Sequence, residues 1–187
     1  MSLQHLILGI LNYAPVSGYD LNKAFRASVQ HFWDTDQSQI YRALHKMHDL
    51  GWVAMEVVEQ DSLPDKKIYG LTETGRAELR RWLAAPEPMP SLHEGWLGQL
   101  FFAQELDAGG VRPLLAARIA EIEQLLQRYE NDAPASAADY ATLYDAPKDA
   151  LFWLMTLDYG IQKMRFERQW AESVLRAFPP ENPRETE

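Results

Sequence analysis

Asp36-Gln37-Ser38-Gln39-Ile40-Tyr41-Arg42-Ala43-Leu44-His45-Lys46-Met47, closing at Leu50-Gly51-Trp52-Val53, is the stretch whose reading decides the fold. Ile40, Leu44 and Met47 recur at i, i+4 and i+7, the spacing of a helix laid on a core, while Ser38, Gln39, Tyr41, Arg42, His45 and Lys46 share the rest of its surface. That surface holds amides, hydroxyls, an imidazole and two cations, groups that hydrogen-bond base edges and phosphates in a groove wide enough to admit a helix. An ordinary solvated amphipathic helix has the same pattern, so the flanking segments must arbitrate.

Upstream, Leu3, Leu6, Ile7, Ile10 and Leu11 form an i, i+3, i+4 stripe that predicts a first core helix over residues 2 to 13, stopped by Pro15. Ser17-Gly18-Tyr19-Asp20 supplies a cap with an acid three places on, opening a second helix that turns Leu21, Ala24, Phe25 and Val29 inward. Thr35-Asp36 is the next start signal, with Gln39 three places after Asp36, and Gly51 stands where a left-handed residue would end the third helix. The period then changes. Val53, Met55 and Val57 alternate with Ala54, Glu56 and Val58, the repeat of a half-buried strand; Asp61 to Asp65 is turn-rich, and Lys66 to Leu71 forms a returning strand. Thr72 caps a fourth helix carrying Ala77, Leu79, Trp82 and Leu83, which Ala84-Ala85-Pro86 ends. Helix, helix, helix, hairpin, helix is a winged-helix order, and the expected fold class is mainly α with a small β-hairpin wing.

The segments Leu6-Ile7-Leu8-Gly9-Ile10-Leu11, Ser17-Gly18-Tyr19-Asp20-Leu21, Ser38-Gln39-Ile40-Tyr41-Arg42-Ala43-Leu44, Leu50-Gly51-Trp52-Val53 and Tyr69-Gly70-Leu71-Thr72-Glu73-Thr74-Gly75-Arg76 together resemble the PadR family of bacterial transcriptional regulators. Each fragment alone is common; five in the same order with matching gaps are specific. The resemblance covers residues 1 to 86 and implies a DNA-binding winged helix-turn-helix in which Tyr41 matches the tyrosine of the recognition helix.

The net charge of −9 argues against a polyanionic partner, but its distribution softens the objection. Residues 1 to 86 hold nine Lys or Arg against ten Asp or Glu, whereas residues 87 to 187 hold nine against seventeen, so the acidity lies in the second half. At a Debye length of about 8 Å the local cations Arg42, Lys46, Lys66 and Lys67 outweigh the distant total. The absence of cysteine excludes disulfides and thiolate chemistry, and no apolar run approaches a membrane span. A cytoplasmic protein with no membrane partner is expected.

Pro86-Glu87-Pro88-Met89-Pro90 reads as an extended connector, so the domains are placed at residues 1–86, a proline-rich linker at 87–90, and a helical dimerisation domain at 91–187 ending in a disordered tail. Leu92, Trp96, Leu97, Leu100 and Phe101 suggest a helix ended by Asp107 to Gly110. Leu115, Ile119, Ile122, Leu126 and Tyr129, spaced 4, 3, 4, 3, then give a coiled-coil seam, with a break over Asn131 to Ala138 around Pro134. A last helix from Pro147 to Phe178 carries Trp153, Leu157, Ile161, Met164, Ala171, Leu175 and Phe178 on one seam, interrupted by Arg168, and Phe152, Tyr159, Phe166, Trp170 and Val174 on adjoining faces. So much apolar surface is most simply buried by a second copy, and Leu115, Ile119, Ile122, Leu126, Trp153, Leu157, Ile161, Met164 and Leu175 are the expected dimer contacts. In layout this half resembles the long helical C-terminal domain of the larger PadR-like and virulence-regulator members.

The expected function is a homodimeric repressor that sets two copies of the Asp36 to Leu50 helix into successive major grooves of a pseudo-palindromic operator. Ser38, Gln39, Tyr41, Arg42 and His45 are candidate base or phosphate contacts; Lys46 is an expected phosphate contact, and Lys66 and Lys67 on the wing are expected to touch backbone phosphates or the minor groove, fixing register without reading sequence. Two alternatives stand beside it. By resemblance, family members respond to phenolic acids or hydrophobic drugs, and Trp96, Trp153 and Trp170 could stack on such an effector, although aromatic residues at helical spacing are more often core. A winged-helix adaptor without DNA binding is the other. An enzyme is not expected, for the five histidines fall in separate segments and no phosphate loop or nucleophile elbow occurs. His45 and His48 are three apart but lack a third ligand, so neither a metal nor a cofactor is expected.

Overall fold

The computed structural model describes residues 3–59, 65–89, 91, 93–106 and 110–178, with the side chain of Ser136 left out. The chain divides into two compact units, Met1–Pro88 with Ser136–Trp153, and Met89–Ala135 with Leu154–Glu187.

In the first unit α1 (Leu3–Leu11), β1 (Val16–Ser17), α2 (Gly18–Ser28), α3 (Gln37–Asp49), β2 (Val53–Val58), β3 (Lys66–Leu71) and α4 (Glu73–Leu83) follow one another. Local chemistry sets their ends. Ser17, Asp36 and Thr72 cap α2, α3 and α4, each accepting from the backbone N–H three residues on. Gly51 ends α3 at φ 69°, with its own N–H donating to the His48 carbonyl and that of Trp52 to the Met47 carbonyl, a Schellman closure that only a residue free of Cβ strain adopts cheaply.

The sheet is larger than the expected hairpin. Its order is β1-β3-β2, all antiparallel, with Val53 opposite Leu71, Val58 opposite Lys66, and Val16 opposite Tyr69. The turn expected at Asp61 to Asp65 lies, up to residue 64, outside the described residues. Ile7, Leu8, Leu11, Leu21, Phe25, Ile40, Leu44, Met47, Val53, Tyr69 and Leu79 form one core, drawn from α1 to α4, β2 and β3, and Val16 of β1 packs against it. Gly75 lets α4 approach the turn before β2, for a Cβ there would stand 2.1 Å from the Trp52 carbonyl oxygen.

The remaining elements are α5 (Gly95–Phe101), a 3-10 turn (Ala103–Glu105), α6 (Val111–Leu143) and α7 (Pro147–Ala177). Leu92, the segment 107–109 and the tail 179–187 lie outside the described residues. The break expected over Asn131 to Ala138 does not occur, because α6 runs through Pro134 without interruption. Proline removes one helical N–H and leaves the carbonyl four residues back without its partner, but Pro134 and Glu130 both stand exposed, where water can take that place. Ala133, Ala135, Ala137 and Ala138, the best helix formers, offset the remaining cost.

In the second unit Ala103, Val111, Leu115 and Ala171 form a core, covered by Leu100, Ile119, Trp170, Val174 and Leu175. The seam of α6 is thus met by α7 of the same chain. Polar contacts reinforce the pairing: Arg118 donates to Glu167 at 2.8 Å, Arg165 to Glu130 at 2.7 Å, and Arg112 to the carbonyls of Leu175 and Phe178 at the end of α7.

Candidate nucleic-acid interface

Helix α3 is held from inside and open from outside. Ile40, Leu44 and Met47 are fully buried, while Ser38, Gln39, Arg42, His45 and Lys46 are exposed. At 100° per residue Ser38, Arg42, His45 and Asp49 fall on one stripe with Gln39 and Lys46 beside it. Arg42, His45 and Lys46 form no ion pair or side-chain hydrogen bond among the described residues, so their donors are available to a ligand.

Ser38 and Gln39 are already engaged at the helix start. The Ser38 hydroxyl donates to Asp36 at 2.6 Å, the Gln39 N–H to the same oxygen at 2.8 Å, and the Thr35 hydroxyl to the Gln39 side-chain carbonyl at 2.8 Å. The Ser38 hydroxyl, the Gln39 N–H and the nearby Arg42 charge hold the Asp36 carboxyl below its usual range. A negative cap at the start of α3 opposes the approach of an anion to the N-terminal amides of this helix.

Tyr41 is placed differently from its neighbours. Its ring is half-buried and packs on the winged-helix core, and a Cβ built on Gly18 would lie 2.5 Å from its Cε1 and 2.9 Å from its hydroxyl oxygen. Gly18 therefore makes room for Tyr41, and the ring ties α3 to the first residue of α2. Sequence reasoning passed over Gly18; its one available signal was a glycine in the first turn of a helix where a better helix former would be expected.

On the wing, Lys67 and Lys66 are both exposed, but the Lys66 ammonium pairs with Asp20 at 3.0 Å. The Ser17 hydroxyl, at 2.7 Å, and Lys66 together hold the Asp20 carboxyl below its usual range. This pair joins the start of α2 to the tip end of the wing, where Lys66 stands opposite Val58, a link the sequence did not suggest.

The tryptophans divide. Trp96 meets Trp170 edge-on at 5.5 Å, with the Arg118 guanidinium 5.1 Å from the Trp96 ring centre, so these two pack on each other and on a cation. Trp153 belongs to the first unit, beside Tyr13. A groove of about 620 Å³ in the second unit is lined by Ala120, Glu123, Gln127, Glu130, Arg165 and Arg168 among others, and no tryptophan faces it. Among the described residues no group of His, Asp or Glu is arranged to hold a metal, and no helix is long and apolar enough to cross a membrane.

Of the expected dimer contacts, Leu115, Ile122, Leu126 and Leu157 are buried within the single chain, and Ile119, Trp153, Ile161, Met164 and Leu175 are half-buried. Within the second unit the heptad stripe of α6 is met by α7 around Leu115 and Ala171. The opposite side of α7 is different. Met155, Tyr159 and Phe166 are 57 %, 67 % and 66 % exposed, and with Gln162 they share one face; Leu151 and Phe152, a turn earlier, are exposed too.

Comparison with known proteins agrees with this geometry. Residues 7–81 match the transcriptional regulator PadR-like family and residues 94–178 the virulence activator alpha C-terminal family. The probable transcriptional regulator Rv1176c of Mycobacterium tuberculosis is 44 % identical over 95 % of this chain and 98 % of its own length. The negative transcriptional regulator PadR of Bacillus subtilis is 29 % identical over 92 % of this chain and 95 % of its own. Its crystal structure with operator DNA superposes at a TM-score of 0.76 and 25 % identity, covering 95 % and 99 % of the two chains. It has also been solved with p-coumaric acid, where the TM-score is 0.69 at 24 % identity over 94 % of this chain and 98 % of that one. The Vibrio cholerae virulence activator AphA superposes at 0.70 with 30 % identity over 94 % and 97 %. The chain belongs to the PadR-like family of DNA-binding transcriptional regulators, with the virulence-activator type of C-terminal domain.

Proposed function

We propose that the protein is a homodimeric repressor that reads a pseudo-palindromic operator with α3 of each copy in successive major grooves. The observation that carries the reading is the outward stripe of α3, where Arg42, His45 and Lys46 stand exposed, with no ion pair or side-chain hydrogen bond among the described residues, over a fully buried inner face. Arg42 and His45 take base edges or phosphates, with Ser38 and Gln39 reachable once their cap bonds exchange; Lys46, Lys67 and Lys66 take phosphates. Tyr41 orients the helix from its seat on Gly18. Repression is supported by the Bacillus subtilis relative, a negative regulator. Dimerisation is supported by the exposed face of α7 around Met155, Tyr159 and Phe166, which a monomer leaves in water.

The direct test is a mobility-shift titration on the DNA upstream of the protein's own coding region against a scrambled duplex, at two salt concentrations, with mass in solution measured alongside. Sequence-dependent shifts by a species of twice the chain mass are expected. Equal binding to both duplexes, or sequence-specific binding by a monomer, would overturn the reading.

A small aromatic effector is the second reading, favoured by the p-coumaric acid bound to the Bacillus subtilis relative. Trp96 and Trp170 meet edge to face and the Arg118 guanidinium lies over Trp96, so a ligand stacking on that ring would have to displace the guanidinium. Quenching of tryptophan fluorescence on titration with phenolic acids, together with loss of the operator shift, is the expected result.

A further inference from the structure

Tyr13 lies two residues beyond α1, at the edge of the winged helix, and meets the turn that joins α6 to α7, which belongs to the same compact unit. Its ring centre is 5.5 Å from Tyr144 and 5.7 Å from Trp153, the latter edge-on at 75°. Tyr144 stacks on Tyr140, with centres 5.9 Å apart and planes 8° from parallel. The Tyr13 hydroxyl donates to the Asp149 carboxylate and accepts from the Trp153 indole. Burial and the Asp149 charge push the Tyr13 phenol up to about 12, so it remains a neutral donor at any physiological pH.

The turn that presents these groups is itself fixed. Asp145 adopts a left-handed φ of 48°, the Ala146 N–H donates to the Ala141 carbonyl at 2.9 Å, and the Asp145 N–H to Thr142 at 3.4 Å, closing α6 as a Schellman motif. Pro147 then starts α7 with its φ already set. Tyr144 at the end of α6, and Asp149 and Trp153 in the first two turns of α7, are thereby held in one arrangement facing Tyr13. A ring set against Tyr144 and Trp153, with its hydroxyl between the Asp149 carboxylate and the Trp153 indole, is contacted both on its ring and at its hydroxyl.

We propose that Tyr13 is a positioning residue that locks the winged helix onto the α6–α7 turn, and so sets the half-site separation that the dimer accepts. The inference rests on the two-fold operator reading above. Two reading helices must enter grooves about 34 Å apart, and angular play where each winged helix meets its turn would let that separation vary. Removing the lock should therefore cost spacing discrimination while leaving recognition of one half-site intact.

The test uses the full-length protein, wild type, Tyr13→Phe and Asp149→Ala, titrated on duplexes whose two half-sites are moved apart or together one base pair at a time, and on a duplex with one half-site. Tyr13→Phe keeps the ring and loses the hydroxyl; Asp149→Ala removes the acceptor from the other element, so the two check each other if either lowers the thermal midpoint. The wild type is expected to prefer one spacing by about tenfold over its neighbours, and both variants to flatten that preference to about threefold or less with single half-site affinity unchanged. A wild-type preference kept in full by both variants overturns this inference alone, as do equal losses on single and paired half-sites, which mark a merely structural role. Wild-type indifference to spacing overturns the two-fold reading and the lock with it.

Discussion

Helices α3 and α7 are both amphipathic, yet they leave opposite chemistries outside. The inner face of α3 is Ile40, Leu44 and Met47, all fully buried, and its outer face is polar and cationic. The inner face of α7 is Leu157, Gly160 and Ala171, and its outer face is Met155, Tyr159 and Phe166. Both inner faces are consumed within one chain. What distinguishes the helices functionally is the residue of surface each leaves over, hydrogen-bond donors in one case and aromatic rings in the other, and these select different partners.

The contrast is sharpest when a large apolar residue is removed from each helix. Leu44→Ala is expected to lower the free energy of unfolding by about 2–5 kcal/mol, since it opens a cavity in a core shared by six elements. Phe166→Ala should leave chemical unfolding of the protomer nearly unchanged and raise the dimer dissociation constant about 30-fold, the loss of one interface anchor of about 2 kcal/mol. Sedimentation over a concentration series separates the two outcomes. An unaltered self-association constant in Phe166→Ala would remove the outer face of α7 from the interface and end the comparison.

On the DNA side, Arg42→Ala and Gly18→Ala test reading against posture. Arg42→Ala should cost about 1–3 kcal/mol of operator affinity without changing stability, because the side chain is exposed and touches no core residue. Gly18→Ala is expected to reduce affinity by a smaller amount and to lower the thermal midpoint as well, because Tyr41 must leave its seat. If Gly18→Ala weakens neither, Tyr41 is not held where its packing indicates.

Most of the winged helix was legible because its boundaries are local chemistry. Ser17, Asp36, Thr72 and Gly51 each act within three or four residues of themselves, and a sequence window contains everything they need. β1 was not legible, since Val16 and Ser17 are too few to show a period and become a strand only through pairing with Tyr69 and Ile68. The seat of Tyr41 was hidden for a related reason: its cause is the missing side chain of Gly18, whose one trace is a glycine in the first turn of α2 and which does not name the ring it admits. Along α6 the heptad stripe was read correctly as a seam, but a stripe does not say which helix fills it, and α7 of the same chain does so around Leu115 and Ala171. Pro134 was overruled by its exposure and its alanine neighbours. Of the candidate site, Arg42, His45 and Lys46 stand where the helical period puts them, while the ties on Ser38, Gln39 and Lys66 depend on partners that periodicity does not reveal.

A smaller effect is expected at the caps. Thr72→Ala removes both the acceptor for the Gly75 N–H at 3.0 Å and the hydroxyl that donates to the Gly51 carbonyl at 2.7 Å, and should cost about 1 kcal/mol of stability in urea unfolding. The loss is confined to the winged helix, so self-association through α7 should not change.

The smallest expected effect concerns acid, and it again sets the winged helix against the arm. Glu78 of α4 accepts from Arg81 at 2.6 Å and shares a hydrogen bond with His5 of α1 at 2.8 Å, and His5 stacks on Trp82 with centres 5.1 Å apart. Arg81, then His5, hold the Glu78 carboxyl down to about 2 from its ordinary 4.5. Because the folded-state value is the lower one, the unfolded chain binds the proton more readily, and the contribution is complete above about pH 4.5 and fades as pH falls toward 2. Arg81 is largely exposed, so solvent screens the pair and the slope is shallow. Stability measured against pH between 5 and 2 should fall less steeply in Glu78→Gln than in the wild type. In the arm, the Arg165–Glu130 pair is about half-exposed on both sides, and Glu130→Gln is expected to change stability by no more than about 0.5 kcal/mol at neutral pH. A Glu78→Gln profile parallel to the wild type would show that the bond between α1 and α4 contributes no more than the exposed Arg165–Glu130 pair does.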